Sequence, residues 1–432
     1  MRPSIEPGAA LAGLSLAMLM PSLAASSANA ALPALAQAFA ASFQAAQWIV
    51  LAYLLAITIV IVVAGQLGDR IGRRRLLLAG IALFTGSSLL CGLAPTLALL
   101  VAARGVQGLG AAVMMALTIT FVGDLVPRAR MGRAMGLLGT MSAVGTTLGP
   151  SLGGVLVASS GWQAIFLLNV PLGVLAFAIV RRALPADRRP ERRGLDGTGI
   201  MLWVSLFQNP GLRTGLATNA LVSTVVMATL VVGPFYLSGA LGLGAAAVGL
   251  VLSAGPLVAA LAGVPAGRLV DRFGTGTTGI GGLVAMTTGS LALSLIPHGA
   301  GIAGYVVPIT VLTAGYAMFQ AANNTAVMAD APSGQRGVVS GMLTLSRNLG
   351  LMTGASAMGA VFAFGVGADV VTALPEAIAA GMRATFAVAA VLVVLALALA
   401  IAGQKKGRHP KAPPEKQGCW TLVQNFMRTP KV

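Results

Sequence analysis

Apolar runs of about twenty residues recur along this 432-residue chain, near 9–31, 46–66, 76–94, 98–123, 134–157, 163–181, 213–237, 245–267, 277–297, 302–328, 338–364 and 381–403. A helix of that length crosses the hydrocarbon of a bilayer. It also satisfies every backbone N–H and C=O within its own segment, which a water-free layer demands. The sequence therefore predicts an all-α membrane protein with twelve spans. Only 9% of its residues are charged, against about a quarter in soluble domains.

The formal charge of +17 would suggest nucleic-acid binding in a soluble chain, but its placement argues otherwise. Arg2, Arg70, Arg73 to Arg75, Arg128 to Arg133, the 181–213 segment, Arg268, Arg272, Arg336 and the tail from Lys405 share one side if the N-terminus is cytoplasmic. The loops near 33–46, 95–99, 158–163, 238–246 and 297–303 carry no Lys or Arg. That asymmetry is the positive-inside pattern, so both termini are expected in the cytoplasm, with no nucleic-acid partner. Cys91 and Cys419 form no disulfide framework, and no metal-ligand spacing, P-loop or nucleophile–base pair occurs. Neither a metal, a cofactor nor an enzymatic activity is expected. Arg2, the first apolar run and Ala28-Asn29-Ala30 imitate a secretory signal peptide. Its removal would leave an odd number of helices, so it is read as the first span.

One phrase occurs twice, as Gly65-Gln66-Leu67-Gly68-Asp69-Arg70-Ile71-Gly72 and Gly267-Arg268-Leu269-Val270-Asp271-Arg272-Phe273-Gly274. Gly136, Gly145 and Gly149 match Gly341, Gly350 and Gly354 at a constant offset of 205, and Pro127 matches Pro332. A duplicated membrane unit is the mark of a two-lobed carrier with its substrate site between the lobes near the midplane. The expected division is an N-terminal six-helix lobe (1–181), a cytoplasmic linker (182–212), a C-terminal six-helix lobe (213–403) and a tail (404–432). Within the linker, residues 199–207 are apolar but too short to cross, and read as an interfacial helix. The tail holds all five lysines and Pro410, Pro413, Pro414 and Pro430, and reads as a disordered extension.

Gly65 to Arg74 resembles the loop signature of the major facilitator superfamily. Three further stretches resemble its drug–proton antiporter branch: Arg104 to Ala111 in the fourth span, Gly139 to Gly145 with Gly149, Pro150, Gly153 and Gly154 in the fifth, and Trp162 to Gly173 approaching the sixth. The resemblance covers nearly the whole chain to residue 403. It implies the major facilitator fold, as two pseudo-symmetric six-helix lobes, and efflux of small molecules. Within that branch the chain looks most like exporters that usually have fourteen helices, here in a twelve-helix form. The resemblance implies exchange against protons, and the chain is expected to act as a monomer in the lipid bilayer. One departure is plain: where the branch carries an Asp in helix one, an ungapped alignment through Asn29 and Pro33 places Ala24.

Several residues carry two readings. Gly65, Asp69, Arg70, Gly72 and Arg73, with Gly267, Asp271 and Arg272, could serve topology alone; the resemblance implies a conformational latch in which Asp caps a helix of the other lobe, with Asp124 a further partner. The glycines around Pro150 suit close helix packing, or a smooth helix sealing the path between lobes. Arg104 and Arg347 are the charges placed within the hydrocarbon, each needing a partner or a wet cavity. Arg104 could be a structural tie to backbone carbonyls or part of the substrate path, and Arg347 is read towards the path. Gln107, Gln320, Asn323 and Asn324 are helix–helix glue or path-lining amides, and Asn29, Trp48 and Tyr53 complete the candidate path. All eleven acidic residues fall at boundaries, in loops or in terminal segments. The expected function is export of small, largely apolar compounds by alternating access. A carrier of organic anions drawn by Arg104 and Arg347, or a non-transporting membrane sensor, are the alternatives.

Overall fold

A computed structural model describes residues 7–125, 131–185, 210–297, 299–329, 336–367 and 369–407. The expected interfacial helix at 199–207 and the tail beyond 407 lie outside the described residues. In the first half, α1 (Pro7–Ala30), α3 (Phe43–Ile71), α4 (Arg73–Gly92), α5 (Leu97–Leu125) and α6 (Met131–Ser160) are spans. A short α2 (Leu32–Ala38) follows α1, and α7 (Ala164–Leu167) and α8 (Asn169–Ala183) together make a sixth span. The second half holds α9 (Pro210–Phe235), α10 (Ala245–Ser294), α11 (Gly301–Ala329), α12 (Arg336–Thr353), α13 (Gly359–Val366) and α14 (Pro375–Gly407). Turns of π-helix extend α9 over Tyr236–Ala240 and join α12 to α13 over Gly354–Met358.

Eleven helices among the described residues are long and apolar enough to cross a membrane, against twelve expected. The difference lies in α10, which is continuous for 50 residues but breaks at Gly274, where φ is 80° and ψ 164°. At 1.5 Å per residue that element is about 75 Å long, more than twice a bilayer core. It is two spans meeting in a tight turn. The first copy of the repeated phrase ends in the same way, with Gly72 at φ 106° between α3 and α4. Both turns use a left-handed backbone that strains any residue with a Cβ. α14 runs to Gly407, so the last helix extends four residues into the segment read from sequence as tail.

The duplication is visible in the packing. α4 and α5 approach so closely that a methyl on Gly110 would lie 2.7 Å from the Phe84 nitrogen and 2.8 Å from the Gly80 oxygen. In the second lobe, a methyl on Gly315 would lie 2.6 Å from the Gly282 oxygen and 2.8 Å from the Met286 nitrogen, the matching atoms of the matching helices. Likewise Ser26 donates from Oγ to the Gly145 carbonyl (3.1 Å), and Thr224 donates from Oγ1 to the Gly350 carbonyl (3.1 Å). Each bond ties the first helix of a lobe to its fifth.

Three apolar cores follow from this arrangement. One joins the two lobes, with Phe43, Ile49, Cys91, Leu100 and Phe166 of the first packing in the same cluster as Val231, Phe235, Leu293, Tyr305 and Phe362 of the second. All lie towards the end where residues 30–43, 160–164, 240–245 and 366–375 turn. Towards the other end each lobe has its own core, around Leu14, Phe84, Leu117 and Val180 in the first and Leu212, Leu216, Val339 and Leu343 in the second. The lobes therefore meet at one end, the closed end, and have separate cores at the other, the open end. Apolar side chains such as Leu261, Val264 and Val391 stand about two-thirds exposed on the flanks, where lipid would meet them.

Candidate functional site

The contact between lobes is built from small residues and one amide. α6 and the first span of α10 cross with their backbones touching. A methyl on Gly154 would fall onto the Ala245 carbonyl, and one on Gly249 would fall onto the Pro150 carbonyl and 3.0 Å from the Gly154 Cα. Nearby, Gln47 of α3 donates from Nε2 to the Ala355 carbonyl at 2.8 Å, across the lobe boundary. Ala355 belongs to the π turn, whose i to i+5 pattern displaces carbonyls from the regular ladder. Gly359 leaves room for the amide, because any Cβ there would collide with the Gln47 side chain. Phe43 closes the same end edge-on against Phe235 (4.8 Å) and Phe362 (5.3 Å).

The two readings of the fifth-span glycines attach to different residues. Gly145, Gly149 and Gly153 face α1 of their own lobe, against Leu19, Ser26 and Ser27. Gly154, with the carbonyl of Pro150, faces the other lobe, and no described residue lies within 4 Å of a would-be Cβ on Gly139.

Arg104 is wholly enclosed in the first lobe. Its Nε donates to the Ile49 carbonyl at 3.1 Å and its Nη1 to Gln107 Oε1 at 2.5 Å. Gln107 in turn donates to Ser88 Oγ at 2.6 Å. The guanidinium lies 4.1 Å above the Tyr53 ring, whose hydroxyl donates to the Pro21 carbonyl at 2.9 Å. Phe166 adds a second ring at 5.9 Å. This surrounding solves the desolvation of a charge within the membrane by hydrogen bonds and π faces rather than by a carboxylate. Arg104 Nη2 is the exception, buried without a hydrogen-bond partner among the described residues. Arg104, Gln107 and Tyr53 are thus brought together as a tie between α3, α4 and α5, sealed from any open path in this conformation.

Arg347 is placed differently. Its side chain is exposed on α12 and makes no hydrogen bond or ion pair among the described residues. Ser340, Thr344, Arg347, Asn348 and Leu351 lie on the helical face that continues to Ala355, the residue touching the other lobe. This polar strip runs from the lobe contact towards the open end. The amides of α11 divide. Gln320 donates to the Tyr316 hydroxyl at 3.0 Å and leaves its Oε1 buried and unpartnered among the described residues. Asn323 lines a cavity of about 190 Å³ within the second lobe, between α9, α10, α11 and α14, and Asn324 is exposed. Asn29 is buried, and its Oδ1 has no partner among the described residues. Trp48 is 54% exposed at the closed end, a position that suits the interfacial aromatic belt better than an enclosed path.

At the open end, Gly72 makes the turn between α3 and α4. Arg70 is exposed, Arg73 packs beside Gly68, and Arg74 donates to the Arg181 carbonyl. The side chains of Asp69 and Asp124 and the surroundings of Gly65 lie outside the described residues. In the second copy, Gly267 has open space about it, and Asp271 and Arg272 are exposed, the Arg272 guanidinium 5.2 Å from the Phe273 ring. Ala24 is buried in the core of the first lobe, one turn from Pro21.

Sequence reasoning missed Gln47, Gly249, Ala355 and Ser88. Gln47 carried a signal, an amide inside an apolar run beside Trp48, whereas a displaced carbonyl at Ala355 leaves no mark in the residue type.

Comparison with known proteins is consistent over most of the length. The family described as Major Facilitator Superfamily matches residues 14–355. The multidrug efflux pump LfrA of Mycolicibacterium smegmatis is 29% identical over 404 residues, covering 82% of this chain and 80% of the pump. The riboflavin transporter RibZ of Clostridioides difficile is 26% identical over 394 residues, covering 81% of this chain and 86% of the transporter. The fold is similar to the crystal structure of a bacterial homolog of the human lysosomal transporter Spinster, with a TM-score of 0.80 at 16% identity, covering 94% of this chain and 98% of that one.

Proposed function

Because the chain belongs to the Major Facilitator Superfamily, we propose that this membrane transporter exports small, largely apolar organic compounds across a bacterial inner membrane by alternating access. The observation that carries this reading is the division of the core, one shared cluster at the closed end and separate clusters at the open end. Two rigid lobes joined at one end only are one of the two states that a rocking carrier visits. Arg70, Arg73 to Arg75, Arg181, Arg182, Arg213, Arg268 and Arg272 gather at the open end, which supports a cytoplasmic orientation for it and for both termini. Residues 1–181 and 213–403 then act as the rocking units and 182–212 as their cytoplasmic tether.

The seal on the far side is the Gly154–Gly249 crossing, the Gln47–Ala355 bond and the Phe43 cluster. Opening outward breaks these contacts, and contacts at the cytoplasmic end replace them, where Asp69, Arg70 and Asp124 supply the latch. Substrate enters from the cytoplasm along the polar strip of α12, where Arg347 is the exposed cation. The names of LfrA and RibZ, a multidrug efflux pump and a riboflavin transporter, support a small organic cargo. Arg347 also favours a second reading, in which the cargo carries a negative charge. No carboxylate stands opposite it among the described residues, so cations would gain nothing there. The missing acid at Ala24 argues for weak proton coupling or for coupling through a boundary acid such as Asp124.

The test is accumulation in an efflux-deficient bacterium expressing this chain. Neutral or anionic flat dyes are expected to accumulate several-fold less than in cells carrying Arg347→Leu at equal abundance. Equal accumulation of every dye in both strains and in empty-vector cells would refute export.

A further inference from the structure

We propose that the closed end of the second lobe holds a binding site for a zwitterion with an apolar body, set between Glu376 and Arg383 and separate from the path between the lobes. A cavity of about 150 Å³ lies where the end of α9, the turn after α10 and the start of α14 converge. Glu376 and Arg383 both line it. Seven residues of helix place them on one face, about 10 Å apart along the axis. Glu376 is exposed at the start of the helix, and Arg383 is half-buried two turns deeper. The two are not paired with each other, and neither makes a hydrogen bond or ion pair with another described residue.

Two opposite charges that share a cavity without touching leave room for a molecule carrying both. An anionic group at Arg383 and an ammonium at Glu376 satisfy each charge, and their order along the wall is fixed by the helix. Between them the wall is aromatic and apolar. Tyr236 faces the cavity and stacks on Tyr305 behind it at 5.9 Å, while Leu241, Leu293, Ile296 and Met382 complete the lining. Every one of these residues belongs to the second lobe. Occupancy braces that lobe internally, and the site persists whichever way the lobes rock.

Two sources present this chemistry, the ethanolamine headgroup of a phospholipid in the adjoining leaflet and a soluble amino acid with an apolar side chain. The experiment uses the purified full-length protein, delipidated in detergent. Native mass spectrometry follows added phosphatidylethanolamine against phosphatidylglycerol, and thermal shift follows added leucine and phenylalanine. Variants are Glu376→Gln, Arg383→Gln and the exchange Glu376→Arg with Arg383→Glu. For the lipid source, phosphatidylethanolamine is expected to be retained at least tenfold better than phosphatidylglycerol, each single variant to lose that preference, and the exchange to regain part of it. For the soluble source, the amino acids give a saturable shift of the wild type that the single variants lose. The site is overturned if the wild type retains phosphatidylethanolamine no better than phosphatidylglycerol and neither amino acid shifts its unfolding, a comparison that needs no variant to fold. It is equally overturned if monodisperse single variants bind as the wild type does.

Discussion

Replacing Gly249 by alanine tests the seal where its geometry is tightest. The added methyl would meet the Pro150 carbonyl more than 1 Å inside the 3.4–4 Å of ordinary contact, and neither the alanine methyl nor the backbone carbonyl has a rotamer that could move it aside. α6 and α10 must separate, and they lie in different lobes, so the cost falls on the state with this end closed. Overpacking of this kind costs about 1–3 kcal/mol. Spent on one of two states, that shifts their ratio by about 5-fold to 160-fold. The assay is a spin-label distance between Ser160→Cys and Gly244→Cys, with Cys91 and Cys419 replaced, in lipid nanodiscs. In the parent the distance distribution is expected to be dominated by the short, closed population. Gly249→Ala is expected to convert most of it to a longer distance. Gly145→Ala supplies the contrast: its methyl would press on the Leu19 carbonyl at 2.6 Å inside one lobe, so thermal stability falls while the distance distribution keeps its shape. A folded Gly249→Ala protein with the parental distribution would refute the reasoning.

Three further outcomes follow from the same structure. Gln47→Ala removes one neutral hydrogen bond from the closed end, about 0.6–1.5 kcal/mol, and is expected to move the same distance distribution about threefold to tenfold in population, less than Gly249→Ala. Arg104→Gln deletes the bond to Ile49 and the contact with Tyr53, so thermal unfolding of the purified protein should begin well below the parent, with KM little changed in the protein that survives; normal stability with a large rise in KM would place Arg104 on the path instead. Asp69→Asn is expected to leave insertion intact and slow transport, Asp271→Asn to do less, and full transport by Asp69→Asn at normal abundance would reduce that residue to topology.

The twelve spans were legible because a bilayer imposes length and apolarity on each, and both appear in residue type. Their joints were less so. Gly274 looks like any loop glycine, yet its left-handed backbone alone turns one span of α10 into the next, with no intervening loop to mark the joint. The π turn at Gly354–Met358 depends on how α12 packs on α9 and α3, which no local pattern encodes. At the site, the sequence singled out residues but not how their surroundings divide them. Gly153 and Gly154 are neighbours, yet 100° of helical rotation points one at its own lobe and the other across the boundary. Arg104 and Arg347 read alike as charges in hydrocarbon. The structure separates them by surroundings, since one is enclosed by carbonyls and rings and the other stands exposed on a polar strip.

The central claim, export of largely apolar, neutral or anionic compounds with little dependence on a proton gradient, is tested most directly in proteoliposomes. Purified protein is reconstituted, and the uptake of matched flat dyes that are cationic, neutral and anionic is followed with and without an imposed pH gradient. The wild type is expected to move the neutral and anionic dyes at rates that change little with the gradient, and the cationic dye poorly. Ala24→Asp is expected to raise both transport of the cation and its sensitivity to an uncoupler. Wild-type protein that moves the cationic dye fastest, in strict proportion to the pH gradient, would contradict the account.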